Sequence, residues 1–160
     1  NIDINKESIN YFNFLRPKDL NLNYAVSNYS GEIDYYYQKS LSLLNTIDKK
    51  NAIKVFNGIF KQKKIYSKRL TEILEESKFK NKNIDFLNID CEGAELDIIK
   101  SLNFKIYSPK LICIEIAENV RTEILSSNLI ISETEIYKFL HELNYKLQWS
   151  GTFSHIFSKK

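Results

Sequence analysis

The sequence predicts a doubly wound α/β domain over residues 1–160, with a mostly parallel sheet that ends in an antiparallel hairpin. Three observations carry that expectation. Strand-like and helix-like segments alternate along the chain, which implies parallel strands with helices on both faces. A short apolar run, Ile84–Ile89, is followed at once by Ala94, Ile98 and Leu102, which recur every fourth residue. The C-terminal stretch holds two strand-like segments either side of Ser150-Gly151.

The elements follow in order. NIDIN reads as the end of a strand, and Asn5 offers a helix cap. Ile9, Phe12 and Leu15 give that helix its apolar stripe, and Pro17 stops it. Leu20–Ser27 is strand-like. Asn28–Gly31 carries turn chemistry, and Glu32–Tyr37 has strand propensity. From Ser40 to Phe60 the pattern is weak, a loop with a short helix interrupted by Gly58. Lys63–Arg69 reads as a strand, with a helix from about Leu70 to Ser77. Ile84–Ile89 and Leu111–Ile116 are short apolar runs of the kind that is buried on both faces. Ser132 and Glu135 fit a capping box for a helix carrying Ile136, Phe139, Leu140 and Leu143. Tyr145–Trp149 and Thr152–Phe157 close the domain as a hairpin.

Composition excludes several classes. A net charge of +3 is too small a positive balance to argue for nucleic acid. The basic run Lys61, Lys63, Lys64, Lys68 and Arg69 reads as a solvated face. Cys91 and Cys113 lack metal-ligand spacing and are expected to be buried free thiols in a reducing compartment. No signal peptide or membrane-spanning run is visible, so a cytoplasmic protein is expected. The chain contains no methionine and opens on Asn1, from which a fragment or processed product is expected.

In open α/β sheets, ligands bind at the carboxyl ends of the strands. Asp3 ends the first strand, where a carboxylate can accept hydrogen bonds from both ribose hydroxyls of a nucleoside or serve only as a loop carboxylate. Asp90 and Glu92 bracket a turn between strand and helix. They can cap that helix, with Glu92 and Glu95 favoured by its dipole, or face a ligand approached closely by Gly93. Glu115 interrupts an apolar strand and needs a partner or solvent at the strand's end. His155, in the last strand, faces the same edge or is a satisfied structural histidine.

The runs IDFLNIDCEGAELDIIKSL and PKLICIEI resemble the FkbM family of S-adenosylmethionine-dependent methyltransferases. The shared features are a strand, an Asp-x-Glu-Gly-Ala-Glu turn, a helix, and a strand ending in Glu plus an aliphatic residue. Upstream, NIDINKESINYFNFLRPKDLNLNYAVSNYSGEIDYY is similar to the part that precedes the turn in that family. RLTEIL resembles its Thr-Leu-Asp-Glu-Ile-Leu helix start, departing at Arg69 and Thr71. The resemblance covers nearly the whole chain. It implies a Rossmann-like class I methyltransferase sheet and S-adenosylmethionine as cofactor. Asp3 would bind the ribose, Ala25 and Val26 would lie near the adenine, and Asp90 and Glu92 would face the methyl group or the acceptor.

The family also begins with a strand and a Gly-rich loop, and none of the four glycines here forms that loop. The N-terminal strand is therefore expected to be missing, from the centre of the sheet between the first visible strand and Ile84–Ile89. The fragment alone is expected to bind cofactor weakly or not at all, and so to be inactive. Methyl transfer needs an aligned acceptor, and a hydroxyl acceptor needs its proton removed, for which Asp90 or Glu92 is the candidate base. A divalent metal held by Asp90, Glu92 and Glu115 is the alternative. The acceptor implied is a sugar or glycan hydroxyl, on family analogy. Two rivals stand beside this reading. One is a nucleotide-binding α/β domain of another transferase class. The other is a non-catalytic interaction module using Tyr35–Tyr37 and the basic run.

Overall fold

A computed structural model describes residues 1–116 and 131–160. In chain order the elements are β1 (Ile2–Asp3), α1 (Lys6–Leu15), β2 (Leu22–Asn23), β3 (Ala25–Val26), β4 (Gly31–Tyr37), α2 (Lys49–Val55), β5 (Lys61–Lys68), α3 (Leu70–Glu75), β6 (Phe86–Ile89), α4 (Glu95–Lys100), β7 (Leu111–Glu115), α5 (Glu135–Glu142), β8 (Tyr145–Ser150) and β9 (Ser154–Lys159). The alternation expected from the sequence is present.

The single sheet is not. Among the described residues the strands form three sheets, ordered β1-β2, β3-β5-β4 and β6-β7-β9-β8. The division begins at Tyr24. The segment read as one strand breaks there, so that β2 pairs with β1 and β3 pairs with β5, both in parallel. Past the end of β2, the Asn23 side chain continues the contact, donating to the carbonyls of Asp3 and Ile4 at 2.9 Å each. β6 and β7 are parallel, and the hairpin β8–β9 adds to β7 antiparallel, as expected, but β4 also pairs with β5 antiparallel, so the expectation of a mostly parallel arrangement is corrected.

The main core lies on one face of the β6–β9 sheet. Ile89, Ile112, Ile114, Tyr145 and Phe157 are buried there with Ile98 and Ile99 of α4 and Ile136 and Leu140 of α5. Each such aliphatic side chain contributes about 1.5–3 kcal/mol relative to exposure. Among the described residues the opposite face carries exposed apolar side chains, Phe86 at 56% and Trp149 at 55%. The expectation that β6 is buried on both faces is therefore corrected. Its residues alternate in burial, and the exposed apolar Phe86 hides that period in the sequence.

One local expectation also shifts. Helix α5 is capped by Thr134, whose Oγ1 accepts from the Tyr137 amide at 3.2 Å, rather than by Ser132. The basic run lies on β5 and the residue after it; Lys61, Lys63, Lys64 and Arg69 are exposed, as expected of a solvated face, and three of its members form ion pairs. Lys64 meets Asp34 at 2.8 Å, Lys68 meets Glu76, and Arg69 meets Glu72. Lys63 sits 5.4 Å over the rings of both Tyr35 and Tyr37. No described helix is long and apolar enough to cross a membrane.

Candidate active site

Strand β6 ends at Ile89, and the chain turns through Asp90-Cys91-Glu92-Gly93 before α4. The turn is tight because two successive residues take left-handed backbone angles, Glu92 at φ 54° and Gly93 at φ 98°. Glycine adopts that region freely, whereas a residue with a Cβ such as Glu92 pays about 1–2 kcal/mol. Compensating bonds surround it. The Glu95 carboxylate, 4% exposed, accepts from the amides of Cys91 at 2.8 Å and Gly93 at 3.0 Å. The Glu92 carbonyl accepts from Thr46 Oγ1 at 2.7 Å and from Asn51 Nδ2. Glu95, not Asp90, therefore satisfies the amides of the turn.

Glu115 ends the neighbouring parallel strand β7. One carboxylate oxygen from each of Asp90, Glu92 and Glu115 lies within 4.8 Å of the others. Crowding of this kind acts on the protons. Burial, and then the charges of Asp90, Glu95 and Glu92, push the Glu115 carboxyl up to about 7. Burial and Asp90 also raise Glu92. Glu115 Oε2 is buried with no hydrogen-bond partner among the described residues. A carboxyl that titrates near neutrality, beside two others, suits proton transfer. Three carboxylate oxygens so close also suit a hard divalent cation.

Asp90 and Glu92 open onto a cavity of 430 Å³, and Asp3 and Val26 line it too. That volume falls within the small-molecule range. The cavity thus brings together the carboxyl ends of β1 and β6, the strands that carry Asp3 and Asp90. Asp3 Oδ1 accepts from the Asn5 amide at 2.7 Å, which leaves Oδ2 without a protein donor among the described residues. Ala25 is buried and is not part of the cavity wall.

His155 is apart from this cluster. It is 1% exposed, pairs in register with Ile114, and its Nδ1 lies 2.8 Å from Ser150 Oγ. Burial lowers its pKa and favours the neutral ring. It does not line the cavity. Cys91 does, but burial pushes its thiol up to about 12, so it stays protonated and a poor nucleophile.

Three residues that shape the turn carry little signal in the sequence. Thr46 and Asn51 belong to the weakly patterned stretch after Ser40, and only Asp48 gave a local signal there, as the cap of α2. Glu95 reads in the sequence only as favourably placed in the helix dipole. The family model described as "Methyltransferase FkbM domain" matches residues 2–147. No curated protein and no solved structure matches the chain.

Proposed function

Because the chain belongs to the family of FkbM methyltransferase domains, we propose that it serves S-adenosylmethionine-dependent transfer of a methyl group to a sugar or glycan hydroxyl. The observation that carries this reading is the shared cavity, with Asp3 on one strand end and Asp90 and Glu92 on the other. When bound, S-adenosylmethionine supplies an electrophilic methyl carbon on a positively charged sulfur.

The chain's own residues fit that group. The Asp3 carboxylate retains an open oxygen for ribose hydroxyls. Val26 offers an apolar wall beside it, and the buried Ala25 supports the same strand. The carboxylates at the other side favour a cationic ligand. Asp90 or Glu92 would take the acceptor hydroxyl's proton as its oxygen gains the methyl carbon and the C–S bond gives way to a neutral thioether, and Glu115, titrating near 7, can take up or release a proton beside them. We further infer a Rossmann-like sheet with one more strand between β1 and β6. Both strands end at the cavity, and neither pairs with the other among the described residues. The free thiols of Cys91 and Cys113 support a reducing, cytoplasmic setting.

The test is transfer of labelled methyl from S-adenosylmethionine to a panel of glycans by the full-length gene product. The expected product is a methyl ether, stable to base. A base-labile methyl ester, or no transfer to any glycan, would overturn the hydroxyl reading. A second reading, in which Asp90, Glu92 and Glu115 hold a divalent cation that orients the acceptor, is favoured by one oxygen of each lying within 4.8 Å of the others. The same assay with EDTA separates the two. Turnover by a carboxylate base survives chelation, and turnover through a cation is lost and returns with Mg²⁺ or Mn²⁺.

A further inference from the structure

We propose that Thr46 and Asn51 are positioning residues that lock the backbone of Glu92 and tie the rim of the cavity to the acidic turn. This inference rests on the proposed function, in which Glu92 faces the acceptor.

The backbone around Glu92 is held from two directions. The amides on either side of it, those of Cys91 and Gly93, donate to Glu95. Its own carbonyl is gripped by two side chains from a distant segment, Thr46 Oγ1 at 2.7 Å and Asn51 Nδ2. Both donors are themselves fixed. Thr46 is 2% exposed, exchanges two backbone hydrogen bonds with Tyr36 at 2.9 and 3.1 Å, and accepts from the Asp48 amide at 2.9 Å. Asn51 donates its amide to the Asp48 cap at 2.7 Å, in the first turn of α2. The Asn51 Cβ lies 3.3 Å from where a Cβ on Gly93 would stand, so Asn51 also packs closely against Gly93. With φ at 54° and the peptide pinned, the side chain of Glu92 is what remains to move.

The segment that supplies Thr46 also borders the cavity. Leu41, Leu43 and Asn45 line it, and Leu43 is 91% exposed. At its other end the segment is tied to the Asp3 side: Asn5, which follows the Asp3 strand end, donates its side-chain amide to the Ser40 carbonyl. Asn45 braces the same bend by donating to the Lys39 carbonyl at 2.8 Å. The segment from Ser40 to Thr46 is thus a strap anchored at both carboxyl-bearing strand ends. A displacement of the strap is transmitted to Glu92 through its carbonyl, so acceptor recognition at the rim and the aim of the carboxylate are set together.

The test is a Thr46→Val, Asn51→Leu double variant of the full-length protein, beside Thr46→Ser, which keeps the hydroxyl. Both are first checked for folding by circular dichroism. The expected result is a fall in kcat of roughly 10- to 100-fold in the double variant. Its Kd for S-adenosylmethionine stays within about twofold, since Asp3 is untouched. Thr46→Ser stays near wild-type kcat. A purely structural role would instead lower the active fraction and leave kcat per folded molecule unchanged, and that result would overturn the proposal. If the wild-type protein transfers no methyl group to any acceptor, the methyltransferase reading fails, and the clamp is then judged by amide hydrogen exchange at Cys91 and Gly93. Exchange at least tenfold faster in the double variant upholds the clamp; unchanged exchange rejects it.

Discussion

Replacing Asp90 with Asn and Glu92 with Gln together is expected to lower turnover by about 10²- to 10⁴-fold while S-adenosylmethionine still binds. The substitutions keep the shape of both side chains and remove only their charge and basicity. The turn that carries them is held by Glu95, Thr46 and Asn51, none of which is altered. Asp90 is exposed and Glu92 is half-buried, so little packing is lost. The double variant should also change how stability depends on pH. In the wild-type fold Glu115 is raised to about 7, first by burial and then by its carboxylate neighbours. The folded state therefore binds more protons than the unfolded one between the ordinary carboxyl range and pH 7. Stability falls as pH rises through that window. Without the two neighbouring charges Glu115 moves down and the slope flattens, by an amount that solvent screening keeps to about 1 kcal/mol or less. Initial rates at saturating cofactor, and melting curves at pH 5 and pH 8, check both parts. Unchanged turnover would remove Asp90 and Glu92 from catalysis.

Ile114→Ala is expected to cost about 2–5 kcal/mol of folding stability. Ile114 is fully buried in β7, between Ile89 of β6 and His155 of β9 in register. Its side chain belongs to the cluster that α4 and α5 share with the sheet. The strand cannot close over the lost atoms without moving Glu115, the next residue, so a cavity remains. Against a typical domain stability of about 5–15 kcal/mol, that loss is a large fraction. Leu111→Ala on the open face of the same strand, where the side chain is 40% exposed, should cost about 1 kcal/mol or less. Urea unfolding midpoints at constant m-value measure both. Equal losses from the two faces would contradict one-sided burial of the sheet.

Much of this architecture could be read from the residues. Ile84–Ile89 announced β6, and the spacing of Ala94, Ile98 and Leu102 announced the helix after it, because strand and helix periods differ sharply. The hairpin was legible because Ser150-Gly151 separates two strand-like runs. Two-sided burial was misread because Phe86 is apolar yet exposed, so residue type alone did not report the alternation. The separation of β1-β2 from β3-β5-β4 was hidden because Leu20–Ser27 has uniform strand propensity; the break at Tyr24 depends on which neighbours β2 and β3 find, which is a tertiary matter. The acidic turn was visible as a pair of carboxylates before a glycine. Its capping by Glu95 was not, since the reach of that carboxylate back to Cys91 and Gly93 depends on the left-handed angles between them. Thr46 and Asn51 act on Glu92 across long stretches of chain and carry no periodic signature. His155 could be assigned to a strand from sequence, but its face could not.

The most direct measurement is isothermal calorimetry of S-adenosylmethionine with the full-length protein and with its Asp3→Ala variant. Among the described residues Asp3 is the carboxylate that the β1 end contributes to the cavity, and the proposed ribose contact is assigned to it. The expected result is one molecule bound per chain by the wild-type protein, with affinity lowered at least tenfold in the variant, about 1.4 kcal/mol or more, while the fold is retained. Undiminished binding by Asp3→Ala would contradict the ribose assignment, and absence of binding by the wild-type protein would contradict the cofactor site itself.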